Sequence, residues 1–202
     1  MTRRTRTPRL SMLLLSVLAA LPMLASTAPA AQATADEVPA VERFSYASWD
    51  VEMHVALRGD GHATARVTER IVAEFPEHDQ NRGMIRLIPQ DYLGASTDPR
   101  DITVTDAAGD AVPFDLESGE DVGAGADAVA ILTGTDDFVH GTQTYVISYA
   151  LDDVILSRDD QQADELYWDM IPLNRAQPID AATVSVTFDP ALAEHLTGEQ
   201  RC

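Results

Sequence analysis

Lysine is missing from this chain: all 14 basic residues among its 202 are arginine. With the abundant alanine, this reads as the codon bias of a GC-rich genome, the alternative being a salt-adapted proteome. Cysteine is nearly missing. The one thiol is Cys202, the last residue, which excludes an internal disulfide and a Cys–His nucleophile pair. A lone thiol in a secreted domain pairs either between molecules or with a partner in a continuation of the chain. The sequence favours the second, because it stops just after the turn-like Thr197-Gly198-Glu199. Catalytic signatures are missing too. His54, His62, His78, His140 and His195 show no H-E-x-x-H spacing, and there is no G-x-S-x-G. Asp106, Asp110, Glu117, Glu120, Asp121 and Asp127 lack EF-hand spacing and read as solvated acids. Neither a metal nor a cofactor is expected. Beyond residue 24 no apolar run is long enough to span a bilayer.

What is present begins at the N-terminus. Arg3, Arg4, Arg6 and Arg9 precede an apolar run, Leu10 to Leu24. Small-residue sites follow at Ala28-Pro29-Ala30, Ala31-Gln32-Ala33 and Ala33-Thr34-Ala35. This is the layout of a secretory signal peptide over residues 1–33. The run is short and interrupted by Pro22, so it predicts a cleaved leader rather than an anchor. Cleavage after residue 33 leaves 169 of the 202 residues, one domain's worth. It also removes four arginines and no acids, taking the formal charge from −19 to −23. That surface excludes nucleic acid and anionic lipid as partners.

Residues 34–43 read as a linker and 44–202 as the extracytoplasmic domain. Trp49, Val51, Met53, Val55 and Leu57 alternate with polar residues, as in a half-buried strand. After a turn at Arg58-Gly59-Asp60-Gly61, alternation resumes through Ala63, Ala65, Val67, Ile71 and Phe75, giving a long hairpin. The Arg58-Gly59-Asp60 tripeptide matches an integrin ligand, but a turn explains it equally well. Further strands are predicted at 84–88, 102–105, 128–132, 144–151 and 183–188, with 128–132 and 144–151 paired to each other. Residues 115–127 hold five acids and three glycines and predict a mobile loop. A helical turn is expected within 152–165 and a short helix over 191–196. Short strands separated by Gly/Pro/Asp turns predict an all-β fold, an antiparallel β-sandwich, immunoglobulin-like or related, with at most one or two short helices.

Two segments carry candidate chemistry. Asn81-Arg82-Gly83-Met84-Ile85-Arg86-Leu87-Ile88-Pro89 sets two arginines four apart in an apolar stretch, and Asp164-Glu165-Leu166-Tyr167-Trp168-Asp169 sets acids around an aromatic pair. A half-buried Arg needs a carboxylate or an aromatic face. Arg82, Arg86, Trp168 and Asp169 are therefore the candidate residues, as a structural pair first and an anion or glycan site second. For Arg86 the expected partners are Asp169, Glu165 or Glu69, with the Trp168 indole beside it. A carboxylate pair such as Glu69 and Asp169 is the acid–base alternative.

These motifs carry a resemblance. The hairpin at 49–75, then Arg82 to Pro89, Thr144-Tyr145-Val146-Ile147-Ser148-Tyr149, Leu166-Tyr167-Trp168-Asp169 and Pro178-Ile179 are similar in order and spacing to one family. It is the N-terminal extracytoplasmic region of predicted bacterial membrane proteins known as a domain of unknown function, DUF2207. Asp60-Gly61 and Glu69 match its hairpin, Arg82-Gly83 stands where His-Gly is common, and Asp169 replaces the usual Asn. The resemblance covers roughly residues 44–196 and implies a secreted β-sandwich, then a membrane span and a further C-terminal part. It implies no activity and no catalytic residue. The reading is an envelope-facing interaction or sensing module, secreted or tethered at the outer face of the membrane. Its partner would be an envelope protein or glycan, and its contact with the membrane would run only through a continuation past Cys202. The rival is a hydrolase acting on envelope glycans through acidic residues.

Overall fold

Long runs of alternating residues form the frame. In a computed structural model, which describes residues 40–123, 127–157, 164–172 and 175–197, the predicted hairpin is β1 (Ser45–Leu57) and β2 (Ala63–Phe75). Its turn is closed by the Arg58 N–H donating to the His62 carbonyl and the Gly61 N–H donating to the Arg58 carbonyl, with Gly61 at φ +90°. The Arg58 and Asp60 side chains bond each other there. A bulge between Tyr46 and Ser48 shifts the alternation by one residue, so Tyr46 and Trp49 both face inward.

The remaining elements are β3 (Ile85–Pro89), β4 (Asp91–Tyr92), β5 (Ala95–Ser96), β6 (Arg100–Thr105), β7 (Phe114–Ser118), β8 (Ala128–Thr133), β9 (Gly141–Asp152), β10 (Ile155–Ser157), β11 (Asp164–Leu166), β12 (Ala182–Phe188) and the short helix α1 (Pro190–Ala193). A single 3-10 turn, Ala40–Glu42, precedes β1. A five-stranded sheet runs β12-β1-β2-β9-β6, and a three-stranded sheet runs β3-β8-β7. Ile88 and Ile131 from the smaller sheet, with Met84 just before β3, pack with Trp49, Val51, Met53, Val67, Ile71, Tyr145, Ile147 and Leu151 from the larger one. The fold is an all-β sandwich.

Four local expectations change. β12 joins β1 in parallel, with Val51 opposite Val184 and Val55 opposite Phe188, so one pair in the sandwich is not antiparallel. β8 and β9 do not pair: β8 lies between β3 and β7, and β9 between β2 and β6, because the chain changes sheets after Thr133. The acidic stretch begins as a strand, not a mobile loop. Asp115 and Glu117 leave β7's backbone free to pair with β8, since an edge strand can point its charges to water. The stretch expected to turn helically holds β10 and β11, paired with each other, and Ile155 and Leu166 pack on the core. The leader at 1–33, most of the 34–43 linker, and Cys202 lie outside the described residues.

Candidate functional site

Strand parity sends Ala63, Ala65, Val67, Glu69, Ile71, Ala73 and Phe75 of β2 into the core. Glu69 is the one charged residue in that series and has 0% of its surface exposed. Four donors converge on its two oxygens. Arg86 of β3 donates from Nε to Oε2 and from Nη2 to Oε1, both at 2.8 Å. Trp49 Nε1 donates to Oε2 at 3.0 Å, and the Tyr149 hydroxyl donates to Oε1 at 2.6 Å. Arg86 Nη1 donates to the Leu87 carbonyl at 2.5 Å, and its Cζ lies 5.5 Å from the centre of the Trp49 ring. Trp49, Glu69 and Tyr149 come from three adjacent strands of one sheet, and Arg86 reaches them from the other.

Burial and charge shift the neighbouring groups. Desolvation opposes the charge on Arg86, but Glu69 and the Tyr149 hydroxyl outweigh it, and the guanidinium pKa rises above its ordinary value. Burial, then Glu69, raises the Tyr149 phenol well above its ordinary range. Burial pushes Tyr46 up to about 12, with Arg86 opposing. Bidentate pairing of an arginine with a carboxylate fixes distance and orientation together. Fully buried and held by four donors, Glu69 clamps the two sheets together.

The four residues singled out in the sequence do not converge. Arg86 bonds Glu69, one of its three expected carboxylates, and the indole beside it is Trp49's. Arg82 is exposed, donates from Nε to the Asp136 carbonyl at 2.6 Å, and sits 4.4 Å above the Phe138 ring. Trp168 is half-buried against the core, and its buried indole N–H has no partner among the described residues. Asp169 is exposed beside the Tyr167 hydroxyl, 3.4 Å away. Glu69 and Asp169 thus occupy the core and the surface and form no acid–base pair. Trp49 and Tyr149 were not singled out, and Glu69 was named only as one of three possible partners for Arg86 and in the acid–base alternative. The parity of β2, which lands a carboxylate on an apolar face, was the available signal for Glu69.

Arg82 borders an open groove of about 550 Å³, which Ile85, Pro113, Asp115, Leu132 and Asp136 also line. Two glycines set its floor. Gly83 has φ +148°, and a Cβ on it would lie 1.8 Å from the Thr133 carbonyl oxygen. Gly134 has φ +104°, and a Cβ there would lie 1.9 Å from the Arg82 carbonyl oxygen. The two backbones approach as closely as they do because neither carries a side chain. Among the described residues, no three His, Cys, Asp or Glu side chains are grouped to hold a metal ion, and no helix is long and apolar enough to cross a membrane.

Solved structures with partial likeness include an M1 zinc metallopeptidase from Deinococcus radiodurans bound to a Tyr-Ser-Ala substrate. It is 15% identical over 72% of this chain and 32% of that one, at a TM-score of 0.36. Native leukotriene A4 hydrolase from Saccharomyces cerevisiae is 10% identical over 65% of this chain and 18% of that one, at 0.32. The chain spans less than two thirds of either structure, and neither likeness carries an activity to it. No curated protein matches it. The family model described as "Predicted membrane protein (DUF2207) N-terminal domain" matches residues 49–200, a span that holds the hairpin, the Glu69 clamp and the groove, and the chain belongs to that family.

Proposed function

We propose that this domain is the extracytoplasmic interaction module of a membrane protein, exported by the leader at residues 1–33 and engaging an envelope protein or glycan through the groove beside Arg82. The observation that carries the reading is the groove itself. It is open, it stands on the close backbone crossing at Gly83 and Gly134, and it presents the apolar Ile85 and Leu132 beside Arg82 and the carboxylates of Asp115 and Asp136. Ile85 is 52% exposed at its rim. Arg82 uses Nε for the Asp136 carbonyl, which leaves its two terminal nitrogens to meet an acidic or hydroxyl-rich partner. Arginine is among the residue types enriched at protein interfaces.

A photo-crosslinking side chain at Ile85, in the full-length protein in its host membrane, tests this. The expected result is a discrete adduct that Arg82→Ala weakens and that is missing from the same probe at Leu93, another exposed apolar position. N-terminal sequencing of the same material should begin between residues 31 and 36. Equal labelling from both positions, or an intact Met1, would overturn the reading.

A further inference from the structure

The edge of a sheet offers a row of unpaired N–H and C=O groups to any strand that can reach it. Among the described residues the two main sheets end in β12, β6, β3 and β7. Three of these carry features that deter pairing. β6 begins with Arg100 and Asp101, and its register with β9 slips between Arg100 and Thr103. β3 ends in Pro89 and turns a charged residue, Arg86, inward. β7 holds Asp115 and Glu117. β12 has none of them. Its seven residues contain no charge, no proline and no glycine, in a chain with 33 acids.

The free backbone groups of β12 can be assigned. The Ala181 carbonyl accepts from the Trp49 N–H, and the Asp189 N–H donates to the Val55 carbonyl. Odd-numbered residues therefore turn their backbone groups toward β1. Along a strand these directions alternate, so Ala182, Val184, Val186 and Phe188 point theirs at the open edge. α1 folds toward the hairpin turn, where Leu192 lines a depression with Leu57 and Ala63.

Thr183-Val184-Ser185-Val186-Thr187 reads the same in both directions. We infer that β12 pairs antiparallel with β12 of a second copy of this chain, about a two-fold axis at Ser185, joining two five-stranded sheets into one of ten strands. A two-fold interface requires a self-complementary surface, and this strand is one. In that register Val184 faces Val186 of the second copy, Thr183 faces Thr187, Ser185 faces Ser185, and the large Phe188 faces the small Ala182. The residues with outward backbone groups become the hydrogen-bonded pairs. The serine and threonine pairs fall at the non-hydrogen-bonded sites, where side chains come closest and hydroxyl pairs stabilise a sheet. Val184, 47% exposed in the single chain, gains a valine neighbour on its own face. The nearest acid, Asp189, comes opposite Ala181 and is bonded to His54 at 3.0 Å, so no two carboxylates meet directly across the axis. This pairing does not depend on what the groove binds.

Sedimentation of the purified chain over a range of concentrations tests the pairing, together with disulfide trapping in a Cys202→Ser background. The expected results are a reversible dimer and a Ser185→Cys chain that links to its copy under mild oxidant, because paired Cα atoms at such a site lie about 4.5 Å apart. Thr183→Cys should not link, since its own counterpart lies four residues along the strand. Ser185→Arg should weaken the dimer at least tenfold by setting two cations together at the axis. It should leave each monomer folded, because Ser185 lies opposite Glu52 within its own sheet. A chain that stays monomeric without Ser185→Cys linkage overturns the inference. So does a dimer indifferent to Ser185→Arg, or linkage through Thr183→Cys as readily as through Ser185→Cys.

Discussion

A carboxylate at an inward strand position is costly unless every lone pair it turns from water finds a donor. Glu69 has four donors, and removing any one leaves charge or polarity stranded. Arg86→Ala should cost about 3–5 kcal/mol, the usual penalty for orphaning one member of a buried ion pair. Arg86→Lys should recover little, because an ammonium cannot bond both oxygens and lie beside the Trp49 ring at once. The double variant Glu69→Leu/Arg86→Met should lie nearer the parent than Arg86→Ala, since it removes both charges and strands only the neutral Trp49 N–H and Tyr149 hydroxyl. Midpoints of chemical denaturation check all three. Tyr46 gives a second prediction. Its folded pKa of about 12 lies above the ordinary phenol value of 10, so the unfolded chain releases this proton first. The contribution is complete below pH 10 and is lost as pH rises from 10 through 12, by about 3 kcal/mol. Tyr46→Phe should flatten the alkaline limb of a stability-versus-pH curve, and an unchanged limb would contradict the assignment. The sequence made Arg86 readable as a buried cation in need of a partner. It did not make Trp49 readable as the indole beside it, because Trp49 and Trp168 both follow apolar patterns and only the packing of the two sheets chooses between them.

Among the elements, β1 and β2 were readable because thirteen-residue alternations leave one register that keeps the apolar side inward. Pairing between distant strands was not. β8 has six residues and β9 twelve, and nothing in either says that the chain changes sheets between them. β7 was hidden by its acids, which resemble those of a loop until a neighbouring strand supplies the hydrogen bonds. The crossing of Gly83 and Gly134 gives a prediction at this scale. Alanine at either position meets a carbonyl oxygen and must also hold a positive φ. Each substitution should therefore cost about 2–4 kcal/mol, overpacking and backbone strain together. Alanine at Gly59, which has no positive φ and open space around it, should be nearly neutral. Thermal melts of the three variants check this, and equal losses would show that the crossing bears no strain.

Over the whole molecule, 33 acids against 14 arginines set a surface that repels polyanions, while the family is described as the N-terminal domain of a predicted membrane protein. Composition conveyed the first and the order of loose motifs the second. Neither conveyed that the earliest and latest strands of the sheet pair with each other, for a parallel pair leaves no turn between its members to read. That pairing bears on time rather than on stability. Val55 meets Phe188 across 133 positions of chain, and such distant pairings form slowly because the intervening loop must first be ordered. The hairpin's outer edge therefore stays open until nearly the whole domain has emerged from the ribosome or from a translocation channel. A chain threaded across a membrane from its N-terminus would remain pliable for most of its passage and acquire its last strand only on the far side.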